Sequence, residues 1–238
     1  MEITIAHLYP DLLNLYGDRG NIITLKRRLE KRGITAHVTE YELSDEIDFA
    51  NADIIFIGGG SDREQLLVCR RLCELKDKII SYAESGGVIV AVCGGYQLLG
   101  KYYKLNDETI EGIGLLDIYT EQEKGRLIGN IILESNLIND TIVGFENHGG
   151  RTYIGNHTPL GKVLYGFGNN EKDGAEGVVY KNVIATYLHG PLLPKNPKLA
   201  DYILSCSVQK KYPDAVLSPI DDDIEELAHK YVLNRVLK

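Results

Sequence analysis

No stretch of the 238-residue chain is apolar for the length a bilayer demands, which excludes a membrane-spanning helix and direct membrane insertion. Basic residues are in deficit. The net charge of −8 argues against a nucleic-acid binder. No basic leader precedes the first apolar run, since Met-Glu-Ile-Thr-Ile-Ala goes straight into a strand pattern, so a cytoplasmic protein is expected. Cysteine is scarce. Its four copies, at positions 69, 73, 93 and 206, are then expected as reduced thiols and not as a disulfide framework. Cys69 and Cys73 are spaced to share a metal. However, no second ligand pair with zinc-like spacing lies nearby, so both are expected in the core on a helical stripe with Leu66 and Leu72, and no metal site is read. There is no linker-like stretch, repeat or low-complexity tract, so residues 1–238 read as one domain. The hydrophobic content of 44% and charged content of 25% are those of a globular protein.

What is present is organised around Gly86 to Gly100. Val88 to Val92 is a continuous β-branched run with no polar alternation, the pattern of a strand buried on both faces in a parallel sheet. Cys93 ends it, two glycines follow, and Tyr96-Gln97-Leu98-Leu99 has helical character. Strand, sharp turn and helix with a nucleophile on the turn is the geometry of a nucleophile elbow. Backbone N–H groups after the turn, Gly94 first, would lower the thiol pKa and hold an oxyanion.

Upstream, Ile3 to Leu8, Thr35 to Tyr41 and Asp53 to Ile57 read as strands. Helices are expected over residues 21–31, after Ser61 (where Ser61 to Glu64 fits a capping box) and over 77–84. This alternation predicts an α/β fold, an open, mostly parallel sheet flanked by helices. In such sheets the site lies beyond the carboxyl ends of the strands, where Gly58-Gly59-Gly60 and Cys93 both fall. From Thr109 the pattern changes to short apolar runs punctuated by Gly, Asn and Asp. These are Leu115 to Thr120, Leu127 to Leu133, Thr141 to Phe145, Val163 to Phe167, Val178 to Tyr180 and Val183 to Tyr187. Their spacing leaves no room for helical crossovers, so additional antiparallel or mixed strands are expected in the second half. Helices are expected over 198–211 and 221–237, the latter with a stripe of Ile224, Leu227, Ala228, Tyr231 and Val232.

A cysteine nucleophile needs a base, usually histidine. His7, His37, His157 and His229 read as structural or solvated. His148 lies among glycines in Phe145 to Arg151, a pattern that suits a binding loop. His189 ends a strand-like run beside Gly190, well placed to face a cleft. The triple glycine lacks the spacing of a dinucleotide or phosphate loop. It is either an ordinary turn or a close approach to ligand, with Gly59 and Gly60 offering N–H groups to an oxyanion. Arg126 is either a solvated charge at a strand end or a fork for a carboxylate.

Ala91 to Gln97 nearly matches the Gly-x-Cys-x-Gly-x-Gln elbow of class I glutamine amidotransferases, with alanine for the first glycine. With the triple glycine and Thr186-Tyr-Leu-His-Gly-Pro191, the chain resembles their cobyric acid synthase branch. Ile57 to Gln65, Val143 to Thr152 and Leu15 to Ile23 narrow the likeness, nearly end to end, to glutaminase subunits of the GatD type from lipid II isoglutaminyl synthase. The resemblance implies that Cys93 attacks L-glutamine to form a glutamyl thioester, with His189 as its base and Arg126, Gly59, Gly60, Gly94 and Gln97 binding substrate. It implies a heterodimer with a Mur-ligase-like catalytic subunit of the MurT type. That partner amidates the D-glutamate α-carboxylate of the lipid II stem peptide near the inner face of the membrane. No cofactor is implied for this chain; ATP, Mg and zinc would belong to the partner. Most class I enzymes carry a carboxylate two residues after the histidine, where this chain has Pro191. The cobyric acid synthase branch shares that absence.

The chemistry alone leaves two alternatives: an amidotransferase subunit for another acceptor, such as a cobyrinic-acid-type corrinoid, and a catalytically inactive α/β partner module. A cysteine hydrolase of a different class would carry an acid close before the nucleophile, where this strand is Val-Ile-Val-Ala-Val.

Overall fold

The computed structural model describes residues 1–105 and 108–237. Its first sheet has β1 (Glu2–Leu8), β2 (Thr35–Tyr41), β3 (Ile54–Ile57), β4 (Val88–Val92), β11 (Val178–Tyr180) and β12 (Val183–Thr186). The spatial order is β2-β1-β3-β4-β12-β11, parallel throughout except for the β11–β12 pair. The helices α1 (Arg19–Glu30), α2 (Asp62–Glu74), α3 (Lys76–Glu84) and α5 (Pro197–Lys211) accompany it. The unbroken apolar runs have the predicted cause, since every residue of β3 and β4 is buried. Full burial of such a side chain stabilises by roughly 1.5–3 kcal/mol. The capping box at Ser61 and Glu64 is formed.

The second sheet carries β5 (Tyr102–Leu105), β6 (Glu108–Glu111), β7 (Tyr119–Ser135), β8 (Asp140–Tyr153), β9 (Gly161–Tyr165) and β10 (Ala175–Glu176). It is antiparallel except for the β5–β7 pair. Three short runs of the sequence are parts of two long strands here, and Leu115 to Ile118 lies outside any strand. The β7–β8 ribbon slips register between Gln122 and Leu127, with Gly125 at φ 81°.

One expectation about burial fails. Cys69 is buried but Cys73 is exposed, because α2 turns only one side to the sheet and Cys73 falls outside that arc. No residue of the last helix, α6 (Asp223–Val236), is buried, and Ile224 and Leu227 of its apolar stripe are exposed. Polar contacts tether it instead. Buried Arg28 of α1 reaches Asp201 of α5 and Asp222 at the start of α6, and His229 binds Thr141 and the Lys195 carbonyl.

Candidate active site

Register builds the site. Ile57 pairs with Ala91, so by extension Gly59 stands level with Cys93 at the carboxyl ends of β3 and β4. Thr186 pairs with Val92, and its carbonyl accepts the Cys93 N–H at 2.8 Å, which brings the segment leading to His189 alongside. His189 is held by a two-way backbone bridge to Phe145 of β8. Cys93 has φ 52° and ψ −103°, a conformation that L residues avoid and that the neighbouring strands enforce. The helix α4 (Gly94–Leu98) begins directly after it.

Gly59 shows how close the pair lies. A Cβ built there would sit 3.0 Å from Cys93 Cβ, 3.6 Å from its Sγ and 3.3 Å from His189 Cε1. Both side chains therefore converge on the space that glycine leaves open. Pro191 packs against Gly20, where an added Cβ would meet the proline ring at 2.4 Å, so the position of the usual acid serves the α1 packing.

Cys93 opens into a cleft of about 310 Å³ that Gly60, Asp62, Gln97, Tyr103, Arg126 and Asn147 help to line. That volume is at the small end for ligand sites and suits an amino acid. Arg126 is not at a strand end. It sits in the register slip of β7, and such bulges re-aim side chains beside sites. Its Nε donates to Asn147 Oδ1 and its Nη2 to the Asn147 carbonyl, both at 2.8 Å. Gln97 is buried and donates to Tyr187 Oη at 3.0 Å. Tyr187 continues to Thr152 and Thr120, a hydrogen-bond chain that ties the elbow helix to the second sheet.

Three expectations need correction. Gly59 does not offer its N–H to the cleft, because that group donates to buried Asp18 at 2.7 Å. Of the two glycines, Gly60 lines the cleft. His148 belongs to strand β8 and not to a loop. Its Nδ1 donates to the Gly150 carbonyl at 2.7 Å, and its ring stacks on Tyr187 with centroids 3.6 Å apart. The elbow N–H does not outweigh burial at the thiol. Burial, and then the nearby Asp18, push the Cys93 pKa up to about 12 against the Gly94 N–H and Arg126. Burial, His148 and Arg126 bring His189 down to about 4. Both shifts favour the uncharged forms, thiol and neutral imidazole.

Asp18, Asp62, Tyr103 and Asn147 carried no assigned role in the sequence. Asp18 and Asn147 lie inside segments that signal the family, but only the folded chain puts Asp18 under the glycine loop and Asn147 behind Arg126.

Residues 4–197 match the family described as CobB/CobQ-like glutamine amidotransferase domain. The chain is 47% identical to the lipid II isoglutaminyl synthase (glutamine-hydrolyzing) subunit GatD of Staphylococcus aureus, over 98% of this chain and 96% of that protein. It is 43% identical to the subunit of the same name from Streptococcus pneumoniae, over 97% and 90%. A crystal structure of a glutamine amidotransferase from Thermotoga maritima superposes with a TM-score of 0.57 at 14% identity, covering 98% of this chain and 94% of that one, and shares the fold.

Proposed function

The chain belongs to the CobB/CobQ-like glutamine amidotransferases, in the GatD group, and from that premise we propose how its residues supply ammonia to lipid II. It is a glutamine-hydrolysing amidotransferase subunit. The observation that carries the mechanism is the convergence of Cys93 and His189 over Gly59. Cys93 Sγ attacks the amide carbon of glutamine while His189 takes the thiol proton. The oxyanion is held by backbone N–H groups of Gly60 and Gly94. The tetrahedral intermediate collapses to a γ-glutamyl thioester as His189 passes that proton to the departing ammonia. Water, deprotonated by His189, then cleaves the thioester to glutamate and free thiol. Arg126 holds the glutamine α-carboxylate.

The ammonia passes to a Mur-ligase-like partner, which uses ATP with Mg to amidate the D-glutamate α-carboxylate of the lipid II stem peptide. Any zinc belongs to that subunit. No helix among the described residues is long and apolar enough to cross a membrane. In this reading the lipid substrate is bound by the partner. The shifts toward uncharged thiol and imidazole, and Pro191 in place of an acid, support a second element of the proposal: the partner completes or orients the dyad, and the isolated chain is a weak glutaminase. In a serine triad, replacing the orienting aspartate costs about 10⁴ in turnover.

The test supplies amide-¹⁵N glutamine to the chain with a co-purified ligase subunit, ATP and lipid II. The expected result is ¹⁵N in the stem peptide and glutamine turnover well above that of the chain alone. Equal turnover with and without the ligase would remove the partner's role at the dyad, and unlabelled lipid II would refute this acceptor.

A further inference from the structure

The cleft holds one acidic side chain among the described residues, Asp62, and one arginine, Arg126. Asp62 opens α2, directly after the glycine loop that stands level with Cys93. It is not needed to cap that helix, because Ser61 and Glu64 form the capping box between them. One contact to its carboxylate comes from Tyr103 Oη, at a long 3.4 Å from Oδ1. That leaves most of its acceptor capacity open to the cleft. Arg126 has its Nε and Nη2 fixed by Asn147, and no carboxylate among the described residues pairs with it. The two opposite charges act on the same space. Asp62 raises and Arg126 lowers the Cys93 thiol, and the same opposition falls on the Tyr103 hydroxyl.

We infer that Asp62 is the specificity-determining partner of the substrate's α-ammonium group, set against Arg126 for the α-carboxylate, so that the cleft selects an amino-acid zwitterion. This rests on the glutaminase reading of the same site. In glutamine the amide carbon and the α-carbon are three bonds apart. A nucleophile and a pair of opposite charges lining one small cleft match that layout. A bare carboxamide would fill the nucleophile end and leave both charges unpaired. A site that pairs polar groups with its substrate discriminates strongly against an analogue lacking one of them.

The test measures kcat and KM for L-glutamine, and the inhibition constant of glutaramate, which is glutamine without its α-ammonium. It uses the full chain and its Asp62→Asn and Asp62→Glu variants. Asp62→Asn is expected to raise KM about ten- to a hundredfold, the range for losing a charged hydrogen bond. The glutaramate constant is expected to move less than about threefold, and Asp62→Glu to recover part of the KM. Parallel weakening of glutamine and glutaramate would reveal a packing role and overturn the inference, as would an unchanged KM. Loss of the glutaminase reading would register differently, as no glutamine turnover in the unsubstituted chain, and the inference would fall with it.

Discussion

Replacing Gly59 with alanine tests the geometry of the dyad with a single methyl group. Gly59 is not at positive φ, so alanine meets no backbone penalty there. The new Cβ would lie 3.0 Å from Cys93 Cβ and 3.3 Å from His189 Cε1. Ordinary carbon contacts are about 3.5–4.0 Å, so the two side chains must part by several tenths of an ångström. Overpacking of this kind costs about 1–3 kcal/mol, and alanine returns about 0.4–1 kcal/mol by restricting the unfolded chain. At about 2–4 °C per kcal/mol for a chain this size, the melting temperature should fall by less than about 10 °C. Catalysis is more sensitive, because a displacement of about 1 Å can cost 10²-fold. Gly59→Ala is therefore expected to lower kcat between about ten- and a hundredfold while the protein stays folded. The assay is glutamine turnover beside a thermal melt. Full kcat with an unchanged melt would show that Cys93 and His189 do not meet over Gly59.

Further outcomes follow from other contacts. Burial raises the Asp18 carboxyl to about 7 from 3.8, so the folded chain holds that proton more tightly than the unfolded one. Its contribution is fully present below about pH 4 and is lost as the pH rises through about 7, and Asp18→Asn should flatten that part of a melting-temperature profile. The same substitution removes a charge that raises the Cys93 thiol, so alkylation of Cys93 above pH 7 should quicken; an unchanged rate would place Asp18 out of electrical contact. Arg126→Lys keeps the charge but loses the fork that Asn147 fixes, and should mainly raise the KM for glutamine. An unchanged KM would make Arg126 a solvated charge. Arg28→Ala leaves Asp222 without its bidentate partner while Asp201 keeps Arg32, and, with both carboxylates partly exposed, is expected to cost about 1–3 kcal/mol in a denaturant titration, below the figure for a fully buried pair. A loss below about 1 kcal/mol would mean that the α1–α5–α6 clamp is incidental.

The parallel sheet was legible because Val88 to Val92 and Ile54 to Ile57 can be buried on both faces only there, and the glycines after each mark the turns into helices. Cys93 and His189 were legible for the same reason: both lie just past strand ends on the site side of the sheet. The second sheet was legible as strands but not as two long ones. Short apolar runs do not show that β7 continues across polar Glu121 to Arg126, because a bulge and not a turn interrupts its pairing. Arg126 was accordingly expected at a strand end. The direction of the thiol's shift was not legible. N–H donors at the elbow were visible in the sequence, but the burial that outweighs them is a property of the packed site. The commitment of the Gly59 N–H to Asp18 joins residues 41 positions apart, and no local pattern encodes it.

Where a glutamine-like electrophile lands decides whether Cys93 is the nucleophile. The chain is treated with 6-diazo-5-oxo-norleucine, digested, and mapped by mass spectrometry while glutaminase activity is followed. One adduct is expected, on Cys93, rising in step with loss of activity, and none on Cys69, Cys73 or Cys206. An adduct on another cysteine that tracks the activity loss, or undiminished turnover by Cys93→Ala, would contradict that role for Cys93.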